Sequence, residues 1–213
     1  VYDHVIEGLL IGGVNATESG FGEVIRNREA VIQSRRTFNH AINGPVGKCT
    51  QALFQAIPGE EAEAGSLIPH CIKYRLERLF TAPGEGADHA IAITTRNLNW
   101  LMFVDPVWAK EWLIPILDVK HPAAEPAWNG YLHSEGMPSI AVAELIKHSF
   151  LNLIPWLKHL SWEKDLSVRA SQWLGWMRLF RPDEPSSPSR NEMRSILRSI
   201  SDEARNHFIS WLG

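Results

Sequence analysis

An all-α fold is what this sequence predicts, either an irregular α-helical array or a solenoid of antiparallel helix pairs, with about ten to twelve helices. Three observations carry it. Apolar residues recur at helical spacing through most of the chain. Proline, glycine and capping residues fall where those stripes stop. The one β-like run, Ile91–Thr95, is short and lies between helical stretches.

Taken from the start, Val5, Ile6, Leu9 and Leu10 fit the end of a helix that Gly12-Gly13 stops. Asn15-Ala16-Thr17 matches a glycosylation acceptor, which carries no weight without a secretory signal. Residues 23–35 read as a polar helix with Val24, Ile25, Val31 and Ile32 turned inward. Asn43-Gly44 should close a short helix and Pro45 open the next, with Val46, Cys49, Leu53, Phe54 and Ile57 on its apolar face. Gly44, Gly47, Lys48 and Thr50 resemble a phosphate loop only superficially. The glycines are too close, Cys49 stands where a metal-binding hydroxyl belongs, and no strand precedes them.

Residues 59–66 form an acidic loop that includes Glu60-Glu61. An amphipathic helix follows through Cys71, Ile72, Tyr74, Leu76, Leu79 and Phe80, with Arg75, Glu77 and Arg78 outside, and another helix spans Ala87–Thr95. The densest stretch is Trp100–Leu132. There Asp105 fits an N-cap with Pro106 at the first helical position. Pro115 should end or kink that helix near Ile114. The next helix should start after Pro122 or Pro126 and carry Trp128, Tyr131 and Leu132.

Beyond a loop at 134–138, where the single domain 1–213 could subdivide, Ser139–Ile154 is a strong helix that Pro155 breaks or kinks. Residues 164–181 form another, 181–189 a surface loop, and a helical hairpin runs through Met193, Ile196, Leu197 and Ile200 to Leu212. No single very hydrophobic helix stands out as a centre, which favours the stack of pairs.

The net charge of −3 gives no field to attract a phosphate backbone, so nucleic acid is an unlikely partner. Two cysteines, Cys49 and Cys71, suit a reducing cytoplasm, with Cys49 read as a small core residue. No apolar run reaches membrane-spanning length, so no membrane is expected. Val1 in place of Met, and a close at Gly213 straight after a helical pattern, lead us to expect a piece of a longer polypeptide.

Chemistry is sparse. The nine histidines are scattered and form no HExxH. His70 and Cys71 are neighbours that point in different directions on a helix, as do Asp88 and His89. Asp118 with His121 is the nearest approach to an acid–base or ligand pair, and both read as local caps beside a proline. No catalytic residue, metal or cofactor is implied. Arg190, Arg194 and Arg198 recur at intervals of four and make one basic ridge; Arg26, Arg28, Arg35 and Arg36 form a second basic group. All nine tryptophans lie from residue 100 onward. Most should be core, but Trp108, Trp112, Trp128, Trp173 and Trp176, with the Arg190 ridge, are the candidate interaction surface.

The segment Asn43–Leu53 (NGPVGKCTQAL), then Asp105-Pro106-Val107-Trp108-Ala109, Leu113–Asp118 and Trp128–Leu132, resembles the helical C-terminal regions of large bacterial anti-phage defence proteins. These regions follow sirtuin-like NAD-consuming or other effector domains. The resemblance covers about residues 20–160, with an echo in Arg205–Leu212. It implies a sensor, scaffold or oligomerisation region that controls an effector elsewhere. No catalytic residue carries over, because the chain has neither a dinucleotide fingerprint nor zinc cysteines. The function expected is thus a non-catalytic helical interaction, sensor or scaffold domain. Its partner would be a phage component, a sister domain or a second copy. The alternatives are a small metal-dependent hydrolase or nuclease-like domain, or a nucleic-acid-binding module.

Overall fold

The computed structural model describes residues 1–20, 24–26, 29–31, 34–57, 63–157 and 164–200, with 202, 205, 206, 208 and 209 near the end; 24–26, 29–31, 164 and 165 are described as backbone alone. Among these residues the chain is an irregular all-α array apart from one short two-stranded ribbon. The first helices are α1 (Tyr2–Ile11), α2 (Gly13–Thr17), α3 (Phe38–Asn43), α4 (Pro45–Gln55) and α5 (His70–Leu79). Next come α6 (Gly86–Arg96), α7 (Leu98–Val104), α8 (Pro106–Trp112) and a 3-10 turn at Pro115–Leu117. The last are α9 (Ala124–Leu132), α10 (Ile140–Trp156), α11 (Lys164–Leu179) and α12 (Arg190–Ser199). No described helix is long and apolar enough to cross a membrane.

One helix expected from sequence does not form. In place of a polar helix over 23–35, β1 (Val24–Arg26) pairs antiparallel with β2 (Glu29–Val31), Val24 facing Val31 and Arg26 facing Glu29. Val24, Ile25 and Val31 are β-branched, stiff at χ1, and favour extended backbone. Ile32 lies outside the described residues, as does most of the closing hairpin beyond Ile200.

The helix boundaries follow the punctuation. Asp105 caps α8, its carboxylate accepting from Trp108 N at 3.2 Å, with Pro106 at the first helical position. Gly44 separates α3 from α4, and Pro45 opens the latter. Helix α8 stops at Trp112, and Pro115 opens the 3-10 turn. Helix α9 starts after Pro122 rather than Pro126. Ser139 caps α10, which continues one residue past Pro155 before it ends. The 134–138 loop is spanned by ring contacts. Tyr131 before it meets Trp173 after it edge-on at 4.9 Å, and Trp128 meets Phe150 at 5.8 Å.

The array is irregular and has a centre. Helix α6 touches α3, α4, α5, α7 and α9. It was invisible as a centre because small residues bury it: Gly86, Ala90, Ala92, Thr94 and Thr95 are all inside. The two threonines that suggested a strand satisfy their hydroxyls within the helix, Thr94 donating to Ala90 O and Thr95 to Ile91 O. Close approach then demands glycine opposite. A Cβ on Gly130 of α9 would stand 2.0 Å from Ala92 O on α6; α4 meets α3 in the same way, where a Cβ on Gly47 would stand 1.8 Å from Ala41 O. A central helix therefore need not be very hydrophobic if its neighbours come this near.

Candidate functional site

The residues with chemical promise are mostly engaged in holding the fold. Asp118 Oδ1 accepts from Lys120 N at 2.9 Å and His121 Nδ1 from Ala123 N at 3.1 Å, so each exposed side chain caps backbone two residues on. Arg35 is bound to Glu85, and Arg36 to Asp88 and Glu125, which takes both guanidinium groups out of the second basic group. The side chains of Arg26 and Arg28 lie outside the description, as do Glu60-Glu61, His159 and His207. Cys49 is buried, and burial pushes its thiol up; Cys71 is exposed. Among the described residues no group of three His, Cys, Asp or Glu side chains could hold a metal ion.

The tryptophan surface must be redrawn. Trp128 and Trp173 are completely buried and Trp108 nearly so. Trp128, Tyr131, Trp173 and Phe150 form a closed four-ring cluster, with each ring touching two others at 4.9–6.1 Å. Helical corners need bulk, and these rings supply it. Trp112 remains at the surface beside Phe80, and Trp176 is half-buried beneath Arg181. Arg190, Arg194 and Arg198 are all exposed on α12, as their spacing requires. A second apolar surface comes from Leu67, Phe103 and Val107, gathered where Gly65 N and Leu67 N bond to the carbonyls of Phe103 and Val104. Leu67 holds a φ of +66°, an uncommon strain for a non-glycine residue.

Among the described residues, the most site-like geometry lies elsewhere, where α3, α4, α6, α7 and the loop after α9 meet. Two hollows sit side by side there with Arg96 and Asn97 as a shared wall. The larger, about 400 Å³, is walled by Phe38, Phe54 and Ile93 and edged by Gln51. The smaller, about 230 Å³, runs along Trp100, Asn99 and Ser134 to Glu135. Such volumes suit side chains or a small ligand. Phe54 meets Trp100 edge-on at 6.3 Å, which makes a continuous aromatic floor.

Arg96 is held loosely across this furrow. Its guanidinium lies 5.3 Å over the Phe38 ring, with long contacts of 3.4 Å to His133 O and 3.5 Å to the Glu135 carboxylate. Asn99, by contrast, is fully employed. Its amide donates to Met137 O while its carbonyl accepts from Tyr131 Oη and Ser139 N. Two of the lining residues each hold a buried atom with no partner, Gln51 Nε2 and Ser134 Oγ. Among the described lining residues the titratable side chains are Arg96 and Glu135, with the His133 imidazole stacked behind Phe38 at 4.9 Å. The furrow can grip and orient a ligand but presents no paired acid and base.

Sequence reading passed over this furrow because its parts come from five separate elements. No known protein family, curated protein or solved structure matches the chain.

Proposed function

We propose that this chain is a non-catalytic helical domain whose task is to bind a protein partner. The observation that carries the reading is the furrow at Arg96: an aromatic floor, amide edges and one weakly engaged guanidinium. Aromatic and arginine side chains concentrate binding energy at protein interfaces, and amides match a peptide backbone in both donor and acceptor roles. The exposed cluster of Leu67, Phe103 and Val107 adds apolar surface of the kind that partners cover. A role in anti-phage defence, as sensor or scaffold for an effector, is a further part of the proposal and rests on the segment resemblance alone.

The test uses the chain as bait in lysates of phage-infected and uninfected bacteria. Each retained protein is then purified and titrated against the bait. The expected outcome is a stoichiometric complex, with a phage-encoded partner appearing only after infection. Failure of every retained protein to bind when purified, together with a monomeric bait by sedimentation, overturns the interaction reading. A partner present equally in both lysates overturns only the defence part.

A further inference from the structure

The two hollows differ in character, and the difference specifies what fits them. The larger has Phe38, Phe54 and Ile93 in its walls, with Gln51, Arg96 and Asn97 beside them. The smaller carries hydrogen-bonding groups, among them the Ser134 hydroxyl, which is unpartnered on a residue only 3 % exposed. Between them stands Arg96, with long contacts that leave N–H donors unengaged. Gln51 Nε2 adds a buried donor without a partner on the apolar side. Arg96 is the one cation among the described lining residues, and the charge it complements is negative.

The chain itself shows which negative group reaches this place. Glu135 extends from the loop after α9 with its side chain 95 % exposed, and its carboxylate sits 3.5 Å from Arg96 Nη2. That contact is long and solvated, so it is weak. An incoming carboxylate that also accepts from Ser134 would gain a second bond that Glu135 does not make.

We infer that the furrow takes a linear peptide segment in which an apolar side chain stands next to an aspartate or glutamate. The apolar group fills the hollow of Phe38, Phe54 and Ile93. The acidic side chain replaces Glu135 on Arg96 and accepts from the Ser134 hydroxyl, while Gln51 donates to a backbone carbonyl between them. This assignment rests on the reading of the domain as a protein-binding module and names the chemistry of its partner.

Random heptapeptides displayed between glycine-serine linkers, which offer no free terminus, are panned on the whole chain. Enrichment of Asp or Glu within two positions of Leu, Ile, Phe or Trp is expected. The enriched peptide, synthesised with acetylated and amidated ends, is then titrated by fluorescence anisotropy. Its affinity should fall at least about tenfold when the acid becomes its amide, and equally for Arg96→Gln protein, the loss of one charge-assisted bond. Glu135→Gln, a change at an exposed side chain that leaves folding untouched, should tighten binding about twofold or more by removing the internal competitor.

No enrichment, or enriched peptides that ignore both Arg96→Gln and Glu135→Gln, overturns the inference. So does recovery of affinity by an acid-free peptide with a free C-terminus, since the terminal carboxylate would then be the ligand. Should the lysate experiment yield a stoichiometric partner while panning yields nothing, the furrow assignment fails and the interaction reading stands.

Discussion

Lys73 Nζ lies 3.0 Å from Oδ2 of Asp105, a carboxylate that is only 1 % exposed. The same carboxylate caps α8 through Trp108 N and accepts from Ile68 N at 3.3 Å. One side chain thus ties α5, the segment before it and the start of α8 together. Asp105→Ala removes the cap and strands the ammonium and an amide, at a cost of about 3 kcal/mol. Lys73→Met leaves both amide bonds to Asp105 in place but strips the buried carboxylate of its counter-charge, and costs about 2 kcal/mol. Urea unfolding of the two variants checks this, and equal losses would contradict the assigned roles.

Gly130 and Ala92 set how closely α9 approaches α6. Gly130→Ala places a methyl group 2.0 Å from Ala92 O and 2.6 Å from Thr95 Oγ1, and a backbone carbonyl on a central helix cannot swing aside. The expected loss is about 3 kcal/mol or more. Gly136→Ala is the contrast. Nothing lies within 4 Å of its Cβ, so only the strain of its φ of +76° is felt, about 1 kcal/mol. Thermal melting of both variants separates contact from backbone strain.

The four-ring cluster contains two tryptophans with different polar ends. Trp128 Nε1 donates to Leu117 O at 2.8 Å, whereas Trp173 Nε1 is buried without a partner. Trp128→Phe therefore loses ring volume and orphans a carbonyl. Trp173→Phe loses similar volume but rids the core of an unpaired donor. Trp128→Phe should be the more destabilising of the two by about 1–2 kcal/mol, as read by denaturant midpoints. The reverse order would mean that Trp173 Nε1 is satisfied in solution.

Helix α12 separates a structural group from an available one. Ser189 Oγ accepts from Glu192 N, and the Glu192 carboxylate accepts from Ser189 N at 2.7 Å, forming a capping box. Those bonds hold the Glu192 carboxyl below its usual range. Ser189→Ala should cost about 1 kcal/mol. Arg194→Glu, on the exposed ridge, should shift stability by no more than about 0.5 kcal/mol. A large loss for Arg194→Glu would mark the ridge as part of the fold rather than surface open to a partner.

What the sequence revealed and what it hid divide along one physical line. Asp105-Pro106, Gly44-Pro45 and Ser139 are local signals, because a cap and its target lie within one turn, and all three were legible. Ser189 with Glu192 was equally local and is readable as a capping box. Lys73 on Asp105 and Arg36 on Asp88 join residues 32 and 52 positions apart, with no spacing rule to announce them. Helix α6 was expected as a helix, but its central place was hidden for another reason. Hydropathy weighs large side chains, while Ala90, Ala92 and Gly130 act through the proximity that their lack of bulk permits. The furrow combines both difficulties, since Phe38, Gln51, Arg96 and Ser134 carry no shared motif.

Two buried histidines make stability depend on pH in a stated direction. His89 is fully buried on α6, with Nε2 3.1 Å from Arg35 O and Nδ1 unpartnered against Gly44. His40 Nδ1 lies 2.8 Å from Thr37 Oγ1 at the start of α3. Burial pushes both imidazoles below their ordinary value, and the nearby His89 lowers His40 further. The Arg35 carbonyl, which accepts from His89 Nε2, opposes the effect of burial on His89, as do Glu85 and Asp88; Glu85 also opposes it for His40, and the Arg35 guanidinium charge lowers both imidazoles further. The folded state therefore binds these two protons less readily than the unfolded chain does. Above the unfolded value of about 6.5 neither state is protonated and stability is complete. As pH falls below it, the unfolded chain binds protons that the folded chain does not, and stability declines by up to about 1.4 kcal/mol per pH unit for each histidine. Glu85 does not blur this window. Its burial is outweighed by hydrogen bonds from Arg35 and Ser19, which keep its carboxyl below the usual range. Urea midpoints should thus fall between about pH 7.5 and about pH 5.5, and His89→Gln should flatten the slope by about half. A midpoint unchanged across that interval would mean that both imidazoles titrate in the folded chain as they do in the unfolded one.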